Sequence, residues 1–330
     1  MTKILAFCTA SAEELPRAAL EVLAAGRQLG DKLDGTLQAV LLGPNVEGQA
    51  ERLVHHGADE VFVVSHPRLQ VHEADVMVGA MEALVEELSP DVILFPHDEL
   101  GGGNVAPRLA YRLNTGIITD CTGFEVQSDN IRWLRPVYGG KAMATMVANG
   151  PVQMATTRAR AFEPLEADAT RQGQVQTVEI DVDSISSSVS LVERTQEEME
   201  GISVDQAQII VCGGRGMEEE ESFVALEKLA GVLGAAVAGS RPAADLGWVT
   251  HSQLIGQTGK IVAPNLYIAV GISGAPQHMA GAGASKTIVA INKDEDAPIF
   301  KLAHIGIVDE WQNVIEPFTA ACKDLVSSSD

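Results

Sequence analysis

The chain has 330 residues, 46% hydrophobic and 21% charged, an ordinary globular balance with room for two sizeable domains. A formal net charge of -22 repels a phosphate backbone, which excludes non-specific nucleic-acid binding but leaves docking on basic protein patches open. The four cysteines, Cys8, Cys121, Cys212 and Cys322, form no Cys-x-x-Cys pair, so close-cysteine iron–sulfur and zinc sites are unsupported and a reducing compartment is the default.

The opening "MTKILAFCTASAEELP" lacks the basic region and long apolar stretch of a signal peptide and reads as a first strand entering a turn. Short buried strands are predicted at 3–8, 37–42, 60–64 and 91–96, with helices such as 16–29 and 71–88 between them. Strand–helix alternation in short units implies a parallel sheet covered on both faces. From about 117 the pattern turns strand-rich, with hairpins expected at Ser128-Asp129-Asn130 and at Asn149-Gly150. Residues 166–206 are polar and acidic and read as a connection with one or two edge strands.

A second alternating series follows. Strands are predicted at 208–212, 235–238, 266–271, 286–291 and 305–308, with helices at 220–233 and about 311–326. The fold class is therefore α/β, with two doubly wound parallel-sheet domains, the first at 1–200 and the second at 206–330. The uncharged run around 261–285 is long enough to span a bilayer, but Pro264, Asn265, Ser273, Pro276, Gln277, His278 and repeated glycines argue against insertion.

The second half carries the unusual residues. In "GISGAPQHMAG" a strand ends at Gly271, Ser273-Gly274 turn the chain, and a short helix opens near Pro276. Such a turn reads equally as a phosphate-binding site or as a packing turn, because the full dinucleotide fingerprint is missing. In "VCGGRGMEEEES" the carboxylates Glu218 to Glu221 read as a solvated helix start, whereas Arg215 sits in the turn and can reach an anion. "GSRP" places Ser240 and Arg241 after a short strand, and "IGQTGK" offers Gln257, Thr258 and Lys260. Strand-end loops of a parallel sheet converge on one crevice, which favours a large anionic ligand such as a dinucleotide. The other histidines, including His55, His56 and His72, read as structural, and no metal-ligand spacing or nucleophile elbow is present.

These residues resemble a known family. "GQTGKIVAPNLYIAVGISGAPQHMAGAGASKTIVAINKDEDAPIF", with "GSRPAADLGW" before it and "HIGIVDEW" after it, resembles the alpha subunit of electron transfer flavoproteins; "APRLAYRLNTGIITDCTGFEV" and "RPVYGGKAMATM" in the first half look like the same family. The resemblance implies one FAD in the C-terminal domain. By matching motif, Arg215, Ser240, Arg241, Ile255, Gly256, Gln257 and Thr258 would line it from one side. Ser273, Gly274, Ala275, Pro276, Gln277, His278, Asn292 and Glu310 would line it from the other. Ser273 and the turn amides would hold the pyrophosphate, and Thr258 would meet the central nitrogen of the flavin ring. Arg241 would favour the reduced ring. His278 would lie near the pyrimidine-end carbonyl, where charge collects on reduction. Asn292 would reach the adenosine half. Glu310 stands where relatives commonly carry a shorter Asp, which puts that contact in question.

The resemblance also implies partners: a beta subunit in a heterodimer, flavin dehydrogenases such as acyl-CoA dehydrogenases as donors, as in fatty acid beta-oxidation, and a quinone reductase or another acceptor. The chain would carry electrons and transform no substrate alone, in the cytoplasm or, for a processed eukaryotic chain, the mitochondrial matrix. Three alternatives stay open: an NADH-using electron-bifurcating complex, an NAD-using enzyme on the same C-terminal fold, and a structural subunit that has lost its cofactor.

Overall fold

A computed structural model describes residues 1–70, 73–127, 130–138, 140–189, 192, 202–205 and 207–327. The chain divides into two compact units, Met1–Thr195 and Gln196–Asp330.

The first unit contains β1 (Lys3–Thr9), α1 (Arg17–Leu33), β2 (Thr36–Gly43), α2 (Ala50–His55), β3 (Glu60–Ser65), α3 (Ala74–Leu88), β4 (Val92–Pro96), α4 (Ala106–Arg112), β5 (Ile117–Cys121), β6 (Gly123–Gln127), β7 (Asn130–Val137), β8 (Ala142–Met146), β9 (Gln153–Thr157) and β10 (Gln174–Thr177). Seven strands form a sheet in the order β10-β3-β2-β1-β4-β9-β5, and its pairs are all parallel. Period-two alternation feeds two cores. In β1, Ile4, Ala6 and Cys8 pack on the face covered by α1, while Leu5 and Phe7 pack on the face covered by α3 and α4. The acidic connection supplies β10, an edge strand beside β3.

The strands flanking Ser128-Asp129 pair antiparallel, Gln127 with Asn130, although the two turn residues lie outside the described residues, as does His72 at the expected start of α3. The Asn149-Gly150 hairpin does not form. β8 ends a three-stranded antiparallel sheet, and β9 leaves it to run parallel between β4 and β5. Met154 and Ala155 of β9 are fully buried there, and burial between two strands outweighs a local turn preference. The second hairpin instead turns near Gly140, between β7 and β8.

The second unit contains β11 (Ile209–Gly213), α5 (Phe223–Leu233), β12 (Ala236–Gly239), α6 (Arg241–Asp245), β13 (Leu266–Val270), α7 (Pro276–Ala282), β14 (Thr287–Asn292), β15 (Ile305–Val308) and α8 (Trp311–Ser327). All of its sheet pairs are parallel, in the order β12-β11-β13-β14-β15. Ile210, Cys212, Tyr267 and Ala269 face the core that α7 covers, and Val211, Ile268 and Val270 face the core that α5 and α8 cover. Helix α5 starts later than its carboxylates suggest, because Glu220–Ser222 form a tighter 3-10 turn before it. Among the described residues no helix is long and apolar enough to cross a membrane.

Candidate functional site

The strand order of the second unit reverses direction at β11. From β11 the chain goes to β12 on one side, then returns to place β13 on the other. Open parallel sheets bind ligands outside the carboxyl ends of the strands at such a point. A cavity of about 750 Å³ lies there, within the size range of cofactor sites.

Two turns build its floor. Gly214 donates to the Val270 carbonyl at 2.8 Å, and Gly216 to the Gly271 carbonyl at 3.0 Å. The turn after β13 then swings out through Gly271 and Gly274, both at positive φ. Among the described residues, the amides of Ser273, Gly274 and Ala275 donate to no protein acceptor, and Ser273 and Ala275 line the cavity, so two N–H groups on its wall are free for an anion. Arg215, also on the cavity, makes no ion pair among the described residues.

The facing wall comes from α6 and the 255–258 loop. Ser240 is buried and precedes α6, whose first residue Arg241 is exposed. The Arg241 guanidinium is shared between Asp245 Oδ1 at 2.6 Å and Thr258 Oγ1 at 3.3 Å. The loop is fastened to α7 by the Gln257 amide, which donates to the Gln277 carbonyl at 2.7 Å.

The structure brings the sequence-predicted site residues onto this cavity except Gly274, Pro276 and Glu310, and the Lys260 cation offered by the same loop as Thr258 is instead paired with Asp205 at 2.9 Å, off the cavity. Gly274 lies against Ile299, whose Cα a Cβ would meet at 2.5 Å, so it is needed for close backbone approach. Pro276 opens α7 at its first turn. Glu310 lines a small adjoining pocket that shares Gly216, Glu218, Gly271, Asn292 and Lys293 with the main cavity. Asn292 does border the cavity, but its amide is occupied in the turn: Nδ2 donates to the Ile272 carbonyl at 2.9 Å and Oδ1 accepts from Asp294 N at 3.0 Å.

Sequence reasoning missed Gly216, Pro242, Gly271, Ile272, Lys293, Asp294 and Ala297 on the cavity, and misread Glu218. Glu218 is not part of a helix start. At φ 74° it turns back to Lys293 Nζ at 3.0 Å, and Lys293 also lies 3.9 Å from Glu310 Oε1. Hydrogen bonding and charge attraction from Glu218 hold the Lys293 pKa up. The repeated carboxylates of 218–221 hid this, because only one of them reaches the crevice.

His278 is a buried member of the cavity wall. The residue is 7% exposed, and Nε2 lies 2.8 Å from the Tyr267 hydroxyl. Burial pushes its pKa down to about 4. It lines the cavity as a neutral imidazole, so a cationic role beside a ligand is disfavoured. Its Nδ1 is buried with no hydrogen-bond partner among the described residues.

Known proteins match this chain along most of its length. The family model described as "Electron transfer flavoprotein domain" matches residues 4–183, and that described as "Electron transfer flavoprotein FAD-binding domain" matches residues 203–283. The chain belongs to the electron transfer flavoprotein alpha subunit family. It is 40% identical over 312 residues to the electron transfer flavoprotein subunit alpha of Bacillus subtilis, covering 94% of both chains. It is 42% identical over 318 residues to Protein FixB of Clostridium saccharobutylicum, covering 96% of this chain and 94% of that one. Against the lactate dehydrogenase (NAD(+),ferredoxin) subunit LctC of Acetobacterium woodii it is 34% identical, covering 89% of this chain and 71% of that one.

The cavity residues fit a group of the family's kind. Free amides and an Arg215 that makes no ion pair among the described residues suit a pyrophosphate. A buried imidazole nitrogen without a protein partner suits a polar ring edge.

Proposed function

We propose that the chain is the FAD-binding alpha subunit of a heterodimeric electron transfer flavoprotein, and that the segment from about residue 206 is its cofactor domain. The observation that carries this reading is the cavity at the β11/β13 switch point, most of whose lining falls in or beside the stretch matched by the FAD-binding family model. FAD would supply reversible one- and two-electron chemistry. The chain's own residues would bind and bias it. Ser273 and the turn amides would take the pyrophosphate, Arg215 would add positive charge, and Thr258 with Arg241 would present a donor and a cation to the ring. Glu310, with Lys293 between it and Glu218, would border the adenosine end.

The partners follow from the same reading: a beta subunit that completes the site, flavin dehydrogenases of the acyl-CoA class as donors, and a quinone reductase or other acceptor. The likeness to a subunit named for NAD(+) and ferredoxin favours a second reading, an alpha subunit of an electron-bifurcating complex.

The deciding experiment is a visible spectrum with flavin stoichiometry on the chain co-purified with its partner subunit, followed by titration with NADH. One FAD per heterodimer that NADH does not reduce supports the plain carrier. Two FADs reduced by NADH support the bifurcating complex. A colourless complex would overturn both.

A further inference from the structure

Tyr267 is the most deeply buried polar side chain near the cavity, yet it does not line it. Its ring is fully enclosed on the α7-covered face of β13, where phenylalanine would fill the space without burying a hydroxyl. The hydroxyl is not idle. It meets His278 Nε2 at 2.8 Å, and the Cys212 side chain of neighbouring β11 shares its core and lies close enough to hold the phenol's pKa up, without closing a hydrogen bond by distance and angle. Three groups from two strands and one helix thus lie together in the core, and the bonded pair ends on a cavity residue.

Burial keeps all three neutral. It pushes the Cys212 thiol up to about 12, holds the Tyr267 phenol well above its usual value, and holds the His278 imidazole down to about 4. The bonded pair can share its hydrogens in two orders. In one, the phenol donates to Nε2. In the other, Nε2–H donates to the phenol and the phenol hydrogen turns towards sulfur. An imidazole nitrogen is a good acceptor and a thiol sulfur a weak one, so the first order is favoured. The Ile255 carbonyl also approaches the ring, without closing a hydrogen bond on Nδ1, and a carbonyl can only accept.

We infer that Tyr267 is a positioning residue: its hydroxyl donates to Nε2 of His278 and fixes the ring as the tautomer that carries its hydrogen on Nδ1. That nitrogen closes no hydrogen bond by distance and angle among the described residues, although the Ile255 carbonyl approaches the ring, and a buried donor left unmet is destabilising until an acceptor arrives. The hydrogen is held for an acceptor on the ligand, which is the flavin if the proposed function is right, and in that respect the inference rests on that proposal. Which nitrogen of a histidine bears the proton is set by the bond its other nitrogen makes. Here that bond goes to a residue that never touches the ligand cavity.

The test uses the chain co-purified with its partner and labelled with 15N-histidine. Long-range 1H–15N spectra report which ring nitrogen carries hydrogen, with or without flavin in the sample. The expected wild-type spectrum shows His278 as a single Nδ1–H tautomer, and Tyr267→Phe loses that single-tautomer signature. Nε2–H in the wild type, or an unchanged tautomer in Tyr267→Phe, would overturn the inference. If Tyr267→Phe does not fold, the wild-type tautomer decides.

The potential of bound flavin gives the second readout. Tyr267→Phe should lower it in the wild-type background and leave it unchanged when His278 is already Ala, since the effect travels through that ring. An equal shift in both backgrounds would make Tyr267 a packing residue only. Absence of flavin from the complex would sink the proposed function, while the tautomer measurement would still stand or fall by itself.

Discussion

Gly216 and Gly271 touch backbone to backbone. The Gly216 amide donates to the Gly271 carbonyl at 3.0 Å, and a Cβ on Gly271 would come within 2.7 Å of the Gly216 carbonyl carbon. The contact joins the turns after β11 and β13, the two strand ends between which the crevice opens. Gly271 also sits at φ 63°, in the left-handed region. Gly271→Ala should therefore cost about 1–3 kcal/mol in chemical denaturation and release cofactor in parallel. Gly231 in α5 is the control: nothing lies within 4 Å of its Cβ position, and Gly231→Ala should raise stability by about 0.5–1 kcal/mol. Equal effects at both positions would mean that the turn contact is not specific.

Arg241 is held between Asp245 and Thr258, which aims its charge along the cavity wall. A cation beside a ring that gains negative charge on reduction raises its potential. Arg241→Ala should lower the midpoint potential of the bound flavin, and Arg241→Lys should retain most of it, as read in a reductive titration against a reference dye. An unshifted potential in Arg241→Ala would remove Arg241 from the ring.

Lys293 stands between Glu218 and Glu310 where the main cavity meets its small neighbour. Without it two carboxylates would face an anionic ligand uncompensated. Lys293→Ala should lose FAD on desalting, and Glu218→Gln in the same chain should restore part of the retention. Full retention by Lys293→Ala would show that the ligand does not extend over this ion pair.

Much of this was legible in the sequence, for local reasons. Apolar runs such as "LYIAV" bounded by glycine turns mark the parallel strands, and period-two alternation already places Tyr267 and Ala269 on one face. What stayed hidden depends on which strand lies beside which. The pairing of Glu218 with Lys293 needs β11, β13 and β14 side by side and a positive φ at Glu218, whereas the local rule saw only acid before a helix. The partnership of Tyr267 with His278 needs to know which helix covers the Cys212 face. The Asn149-Gly150 hairpin failed for the same reason, because β9 had a buried slot between β4 and β5 that no local pattern announces.

The buried histidine makes stability depend on pH with a definite sign. His278 is held down to about 4, against an ordinary 6.5, by burial. As pH falls through 6.5 the unfolded chain takes up the imidazole proton, and the folded chain does so only near 4. Unfolding therefore binds an extra proton in that window. The contribution is fully present above 6.5 and is lost progressively towards 4. One proton corresponds to about 1.4 kcal/mol per pH unit, hence about 3 kcal/mol across the window. In His278→Gln the site does not titrate, although the amide can still accept from the Tyr267 hydroxyl. The stability difference between wild type and variant, from denaturant unfolding at pH 7 and pH 5, should shift by about 2 kcal/mol against the wild type at the lower pH. A difference that stays constant would mean that His278 titrates as freely in the folded chain as in the unfolded one, and that burial does not hold it neutral.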